Sequence, residues 1–181
     1  MISLLAKILA RPSIANWIIE RSKRTPYRHI IDPNGSVYME RYWVFNAYGE
    51  HAEDNNARFQ WLPSIRVHRI MRPDNDRALH DHPWNARTFI LKGDYKEIRR
   101  ETFDIYPYPE ITVAVPYVRK AGDTAALKFG EYHTITEVSE GGVYTLFCTW
   151  KYRGTWGFLV DGVKVPWREY LARKENESSA P

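Results

Sequence analysis

Residues 74–93 read DNDRALHDHPWNARTFILKG and contain His80 and His82, two histidines separated by a single residue. Side chains alternate along an extended segment, so these two imidazoles point to the same side of the chain. Imidazole nitrogen is a common transition-metal ligand, and two rings on one face can bind one ion. The stretch therefore predicts two candidate metal ligands, followed by a strand over Thr88–Leu91 and a turn at Gly93.

Short strands occupy the chain on both sides of this stretch, from residue 37 onward. They are rich in aromatic and β-branched residues, and clusters of Gly, Pro, Asn and Asp separate them. Strand follows strand without an interleaved helix, which predicts an antiparallel sandwich or barrel and argues against a doubly wound sheet. The predicted strands are Val37–Tyr48, Ser64–Arg72, Thr88–Leu91, Tyr95–Arg100, Ile111–Val118, Ala125–Phe129, His133–Val138, Val143–Trp150 and Gly157–Val160.

Helices are predicted only near the ends of the chain. Two amphipathic segments separated by Pro12 form an N-terminal helical arm, residues 1–30, which we expect to pack on the domain or on a partner subunit. A short C-terminal helix is predicted over Val165–Leu171, so that the β-domain spans residues 31–173. Residues 174–181 are polar and are predicted to form a disordered tail.

A third histidine, His133, opens another predicted strand, and with it the chain resembles the cupin superfamily. In the first cupin motif a glycine precedes His-x-His, and a glutamate and a second glycine follow it. The positions that match are His80, His82 and Gly93. Two positions depart from the motif, because Asp74 occupies the first glycine position and Ala86 occupies the glutamate position.

The second cupin motif falls on residues 122–137. The positions that match are Gly122, Gly130 and His133. Lys128 replaces the proline of the motif, and Glu137 replaces its asparagine. Locally, residues 79–85 (LHDHPWN) are similar to small bacterial and phage cupin-like proteins.

The resemblance implies a mostly β, single-domain fold, the cupin-type double-stranded β-helix or jelly-roll barrel. It also implies a divalent transition metal on His80, His82 and His133, with Fe(II) as the first choice and Ni, Zn or Mn as alternatives. With Ala86 in place of the glutamate, the neutral ligand set is similar to that of thiol dioxygenases and leaves the full charge of the ion to attract an anionic substrate. The same departure also fits a cupin that has lost its metal.

Two pairs of residues, each on one predicted strand, are candidates for catalysis and substrate binding. Tyr95 and Glu97 share one face; if that face points inward, Glu97 is a candidate base or additional ligand and Tyr95 a candidate hydrogen-bond donor. Arg66 and His68 share a face of another strand that lines either a cavity or the outside. If that face lines the cavity, Arg66 is the candidate anchor for a carboxylate or phosphate.

Two further aromatic residues are candidate pocket neighbours. Trp84 lies in the turn between His82 and the next strand, and Tyr132 lies beside His133. We therefore predict Arg66, His68, Trp84 and Tyr132 as the substrate-binding set.

The distribution of charge argues against nucleic-acid binding. The chain of 181 residues carries a formal charge of +4, but residues 1–30 carry +5 and the remainder −1, so the β-domain is nearly neutral. The only cysteine, Cys148, excludes an internal disulfide, is expected to be buried, and favours a cytoplasmic location. No membrane span is expected, and pairing of open strand edges would give a homodimer.

Three classes of function fit these features. The first is a mononuclear non-haem iron enzyme of dioxygenase type that acts on a small anionic metabolite. The second is a non-catalytic module that binds a sugar or another metabolite in the barrel. The third is a metal-independent sugar-nucleotide epimerase or isomerase, in which a histidine acts as the base and Tyr95 or Tyr132 as the acid.

Overall fold

The computed structural model describes residues 1–32, 35–49, 57–74, 78–104, 106–107 and 109–178. Two helices, α1 (Ile2–Leu9) and α2 (Pro12–Ser22), precede the strands, and α3 (Trp167–Ser178) follows them. The strands are β1 (Ile30–Ile31), β2 (Val37–Phe45), β3 (Ser64–Ile70), β4 (Ala86–Lys92), β5 (Asp94–Phe103), β6 (Ile111–Lys120), β7 (Thr124–Leu127), β8 (His133–Val138), β9 (Val143–Thr149), β10 (Gly157–Val160) and β11 (Val163–Pro166).

The strands form two main antiparallel sheets and a hairpin. One sheet has six strands in the order β1-β2-β3-β9-β4-β7, and the other has three in the order β6-β5-β8. β10 and β11 form a separate hairpin. Because β9 lies between β3 and β4, strands distant in sequence are neighbours, as in a jelly roll. The predicted mostly β, jelly-roll class is confirmed.

The turn from one sheet to the other requires glycine at Gly93. Its φ is +79°, in the left-handed region. A β-carbon at this position would lie 2.8 Å from the Ser139 hydroxyl and 2.9 Å from the Gly142 carbonyl oxygen. The predicted turn at Gly93 is therefore confirmed, and it joins β4 directly to β5.

The C-terminal region differs from the prediction at two places. Val165 was expected in a helix, but it pairs with Phe158 in the β10–β11 hairpin, and the helix begins at Trp167. The hairpin forms because Asp161 and Gly162 both adopt positive φ, the backbone of a tight two-residue turn. The helix continues through residues 174–178, which were expected to be disordered, because this segment is rich in helix-favouring Lys and Glu. Residues 179–181 lie outside the described part of the chain.

The N-terminal arm packs on the outer face of the six-stranded sheet. Small and branched side chains from the two helices, Ala6, Ala15, Ile18 and Ile19, are buried in a cluster with Val67 of β3. Val67 is fully buried there. One face of β3 thus packs against the N-terminal arm, and the other face points into the barrel.

Within the described residues, no single helix is long and apolar enough to cross a membrane. The two N-terminal helices meet that criterion only when taken together, across a bend of 75°.

We expect Cys148 to be inert toward thiol reagents in the native protein. It is a free, buried cysteine in the apolar cluster that the N-terminal arm forms with Val67. Burial raises the pKa of its thiol to about 11. Since the thiolate is the reactive form, an aromatic disulfide reagent should label the unfolded chain at once and the native chain only slowly. Rapid stoichiometric labelling of native protein would contradict this burial.

Candidate functional site

Three imidazoles meet inside the barrel. Ring nitrogens of His80, His82 and His133 all lie within 4.8 Å of one another. The ring centroids are 5.3 Å apart for His80 and His82, 4.9 Å for His80 and His133, and 5.1 Å for His82 and His133. His80 and His82, which share a face of the first motif, therefore lie next to His133 of the second motif.

The backbone fixes two of these histidines relative to each other. His80 and His133 form an isolated antiparallel bridge, in which the His80 amide donates to the His133 carbonyl at 2.9 Å and the reverse bond is 3.0 Å. Directly opposite residues of such a pair project to the same side. The bridge thus brings both rings to one side of the segment.

Asp81, between the first two histidines, ties their segment to the β10–β11 hairpin. Its side chain is fully buried, and it accepts hydrogen bonds from the Gly157 amide at 2.7 Å and from Lys164 Nζ at 2.6 Å. Asp81 was not among the predicted site residues. The alternation that aligns the two histidines is the signal that could have placed Asp81 on the opposite side.

We expect Gly157→Ala to destabilise the protein by about 3 kcal/mol, since the hairpin leaves no room for a side chain at this position. A β-carbon on Gly157 would lie 2.2 Å from the Val165 carbonyl oxygen. Denaturant unfolding measures the change. The control is Gly162→Asn in the same hairpin, where the space is open and asparagine tolerates the φ of +81°. Equal stability of Gly157→Ala and wild type would contradict the close packing.

Glu97 supports His133 from behind. Its carboxylate is buried and accepts from His133 Nδ1 at 3.1 Å, from Arg119 Nε at 2.7 Å and from Arg99 Nε at 3.0 Å. A carboxylate that accepts at Nδ1 leaves the Nε2 lone pair of the imidazole for a metal or a proton. The inward orientation that we considered for Glu97 is observed, but its oxygens are engaged by these donors and it does not line the cavity. The structure thus places Glu97 behind His133 and away from the cavity wall, where a base or an additional ligand was predicted.

Electrostatics favour one protonation state of Glu97 and one of His82. Burial alone would raise the pKa of the Glu97 carboxyl, but the hydrogen bond and charge of His133, together with Arg99 and Arg119, lower it to about 2. Burial lowers the pKa of His82 well below its usual value, and the neighbouring imidazoles of His133 and His80 lower it further. Glu97 is therefore an anion and His82 a neutral ring at neutral pH.

The three histidines lie on the wall of a cavity of about 530 Å³. Arg66, His68 and Ile70 of β3 line it as well, so the polar face of that strand faces the cavity and not the outside. Trp84, Tyr95 and Phe147 line other parts of the wall. The cavity therefore combines neutral imidazoles, aromatic rings and a buried guanidinium.

Of the aromatic residues predicted beside the histidines, two line this cavity and one does not. Trp84 stacks near His82, with ring centroids 6.2 Å apart, and Tyr95 is buried on the wall. Burial is the main cause that raises the pKa of the Tyr95 hydroxyl, so Tyr95 stays a hydrogen-bond donor at neutral pH. Tyr132 instead lines a neighbouring cleft with Arg99 and Arg100, which His133 also borders. The structure therefore does not place Tyr132 on the wall of the histidine cavity, where it was predicted.

The donor set fits a divalent transition metal. His82 Nε2 and His133 Nε2 lie 2.9 Å apart, a distance at which the two rings share a hydrogen bond and which also suits two ligands of one ion. Two nitrogens at right angles about one ion, each at about 2.1 Å, are separated by about 3 Å. Ala86, which occupies the glutamate position of the motif, packs against Leu127 and Phe147. The donor set is thus three imidazoles, with an apolar contact where the motif has a carboxylate.

Comparison with known proteins yields structural matches only, since no family model and no curated protein matches the chain. It is similar to oxalate decarboxylase of Bacillus subtilis, with 13% identity and a TM-score of 0.50, over 88% of this chain and 38% of that one. It is also similar to the DMSP lyase DddQ of Ruegeria pomeroyi DSS-3, with 14% identity and a TM-score of 0.51, over 92% of this chain and 76% of that one. The chain thus spans well under half the length of the decarboxylase. Both are cupin-fold proteins. The chain therefore has the cupin fold, the architecture that its histidine motifs predict.

Proposed function

We propose that this chain is a metal-dependent enzyme in which His80, His82 and His133 hold one divalent cation, Fe(II) as the first choice, and that it oxygenates a small organic anion. The observation that carries the proposal is the convergence of three imidazoles, with ring nitrogens within 4.8 Å of one another, on the wall of a cavity of about 530 Å³. Two structural neighbours, an oxalate decarboxylase described with Mn(II) centres and a DMSP lyase, support small-molecule chemistry on this fold.

A divalent cation on these residues supplies Lewis acidity and, when redox-active, electrons for dioxygen chemistry, with coordination positions left open by a three-ligand set. The protein's own residues perform the remaining work. Glu97 holds the His133 ring so that Nε2 faces His82. Trp84 and Phe147 exclude water from the wall beside the histidines, and the Tyr95 hydroxyl donates a hydrogen bond to a bound substrate.

The choice of an anionic substrate follows from the charge of the site. Three neutral imidazoles leave the charge of a divalent ion uncompensated, and Ala86 removes the carboxylate that would offset it. Arg66 adds a buried positive charge to the same cavity. A carboxylate or phosphate would neutralise both.

Dioxygen uptake by Fe(II)-reconstituted protein tests the oxygenase proposal. We expect uptake that depends on one or more members of a panel of small thiol carboxylates and dicarboxylates, and no uptake by His133→Ala with the same panel. Metal-loaded protein that consumes no dioxygen with any member would overturn the oxygenase assignment.

A metal-independent epimerase is the second candidate, because Tyr95 and His133 both line the cavity and supply an acid and a base. This reaction predicts exchange of a sugar carbon-bound proton in D₂O by chelator-treated protein. Absence of exchange across a panel of nucleotide sugars would exclude it. A sugar-binding module would bind members of the same panel without exchange.

A homodimer and a cytoplasmic location belong to the same proposal. β6 is an edge strand of its sheet, and its Ile111, Val113 and Val118 are exposed, which suits pairing with a second copy. The location rests on composition, since one cysteine allows no internal disulfide. Light scattering of the purified protein tests the dimer directly.

A further inference from the structure

A buried arginine, Arg66, lies on the cavity wall, and no carboxylate among the described residues pairs with it. Arg66 is 3% exposed. Its Nη1 donates to the Tyr48 hydroxyl, while its buried Nε has no hydrogen-bond partner in the described part of the chain. A buried guanidinium with unused donors is unfavourable unless an anion satisfies them.

Aromatic rings surround this guanidinium but cannot satisfy its donors. Its Cζ lies 5.0 Å from the ring centroid of Trp84, 5.3 Å from that of Phe147 and 5.5 Å from that of Trp43. Ring faces attract a cation electrostatically, but the N–H groups of the guanidinium fork are built to bind carboxylate or phosphate oxygens in pairs. The rings therefore shield the Arg66 guanidinium from water and leave its N–H groups to bind an anionic group.

A second arginine strengthens the positive potential at this end of the cavity. Arg41 of β2 lies opposite His68 in the sheet, diagonal to Arg66, and both arginines line the cavity. The Arg41 guanidinium donates to the Arg28 carbonyl, an uncharged acceptor. Burial is the main cause that lowers the pKa of Arg41 to about 10, and the charge of Arg66 lowers it further.

The other charges on the cavity wall do not neutralise this pair. Arg28 adds a third cation, and Asp74 is the only carboxylate among the described residues that line the cavity. Asp74 is engaged by the Tyr38 hydroxyl and by the Ile135 amide, which donates at 2.9 Å. No carboxylate among the described lining residues is thus left to pair with Arg66 or Arg41.

The anion site and the histidine cluster share aromatic walls. The Phe147 ring lies 5.3 Å from the Arg66 Cζ, and its centroid is 6.0 Å from that of the His82 ring. Trp84 likewise contacts both. The Phe147 and Trp84 rings thus lie between the Arg66 guanidinium and the His82 ring, which mark the two polar ends of the cavity.

We propose that the cavity binds an elongated organic anion with an apolar middle, whose carboxylate or phosphate occupies a site formed by Arg66 and Arg41 while its other end reaches the three histidines. The anion site is a property of the apo chain, whereas its role in turnover rests on the proposed metal-dependent function. His68, a buried histidine stacked on Phe147 with an unpartnered Nε2, borders the same site and offers one further donor or acceptor.

Binding of small aromatic anions to chelator-treated protein tests the site without metal or turnover. The probes are benzoate, phenyl phosphate and the neutral benzamide, and the readout is the arginine Nε–H spectrum of protein labelled with ¹⁵N-arginine, with Arg66→Lys used to assign the Arg66 signal. We expect a saturable shift of that signal with benzoate, phenyl phosphate or both, and none with benzamide. The tighter of the two anions identifies the carboxylate or the phosphate as the natural group.

Two variants make the test specific. Arg66→Gln should weaken anion binding by at least about tenfold, the loss expected for a charged hydrogen-bonded pair. Arg69→Gln is the matched control on the same strand, because Arg69 faces away and donates to Glu40 and to the Gly141 carbonyl; it should bind the anions as wild type does. If Arg66→Gln does not fold, the shift of the Arg66 signal in the wild-type protein decides alone.

The proposal is overturned if neither anion gives a saturable shift of Arg66, if benzamide binds as tightly as benzoate, or if folded Arg66→Gln keeps wild-type affinity. Its failure is separable from failure of the proposed function. Metal binding without anion binding removes this inference only, and anion binding by a chain that takes no metal removes the metal-dependent function only.

Discussion

His133→Ala is expected to reduce the metal content of reconstituted protein from about one equivalent to near zero. Removal of one imidazole from a three-imidazole set leaves two neutral ligands, and the Glu97 carboxylate behind His133 is held by Arg99 and Arg119. His80→Ala should have the same effect. Elemental analysis after reconstitution and desalting measures the content.

The matched control for these variants is His68→Gln. His68 is buried on the same cavity wall but lies outside the group of three ring nitrogens. Metal content should therefore stay near that of the wild type. Equal loss of metal from His68→Gln and His133→Ala would show that the cavity, and not the three-histidine cluster, determines binding.

Glu97→Ala is expected to have the largest effect on stability and a second effect on metal affinity. The substitution leaves Arg99 and Arg119 without the buried carboxylate that both contact, at a cost of about 3–5 kcal/mol. It also releases His133 Nδ1, and loss of such an outer hydrogen bond weakens metal affinity about 10–100-fold. Denaturant unfolding of metal-free protein gives the first quantity, and competition with a chelating dye gives the second.

Glu137→Ala is the control on the same sheet. Glu137 pairs with Lys96 at 2.8 Å, but both side chains are more than half exposed, so the pair contributes less than about 1 kcal/mol. Metal affinity should not change. If Glu97→Ala unfolds too readily to measure, Glu97→Gln retains the shape and one acceptor and should still weaken metal binding. Wild-type stability and affinity of Glu97→Ala would contradict its assignment as the support of His133.

Local alternation accounts for the parts of the site that were predictable. The His-x-His spacing places two imidazoles on one side, and the polar and apolar faces of β3 separate Arg66 and His68 from Val67 by the same rule. Glycine positions such as Gly93 show where the chain must turn, since its φ is positive. These features depend only on neighbours in the sequence.

Strand pairing determines which side chains reach the cavity and Glu97, and this could not be predicted from the sequence. Whether the polar face of β3 meets a cavity or the outside depends on the second sheet. Arg119 reaches Glu97 only because β5 and β6 pair in the register that sets Tyr95 against Arg119. Arg41 joins the cavity because β2 pairs with β3 so that Arg41 lies opposite His68. A register of this kind depends on which strands pair, and alternation within one strand does not specify the pairing partner.

The measurement that tests the central claim most directly is the metal stoichiometry of wild-type protein, after reconstitution in turn with Fe(II), Mn(II), Ni(II) and Zn(II) and removal of unbound ion. We expect about one equivalent of at least one of these metals, retained by His68→Gln and lost from His133→Ala. Wild-type protein that is folded yet retains none of the four metals would contradict the assignment of His80, His82 and His133 as a metal centre.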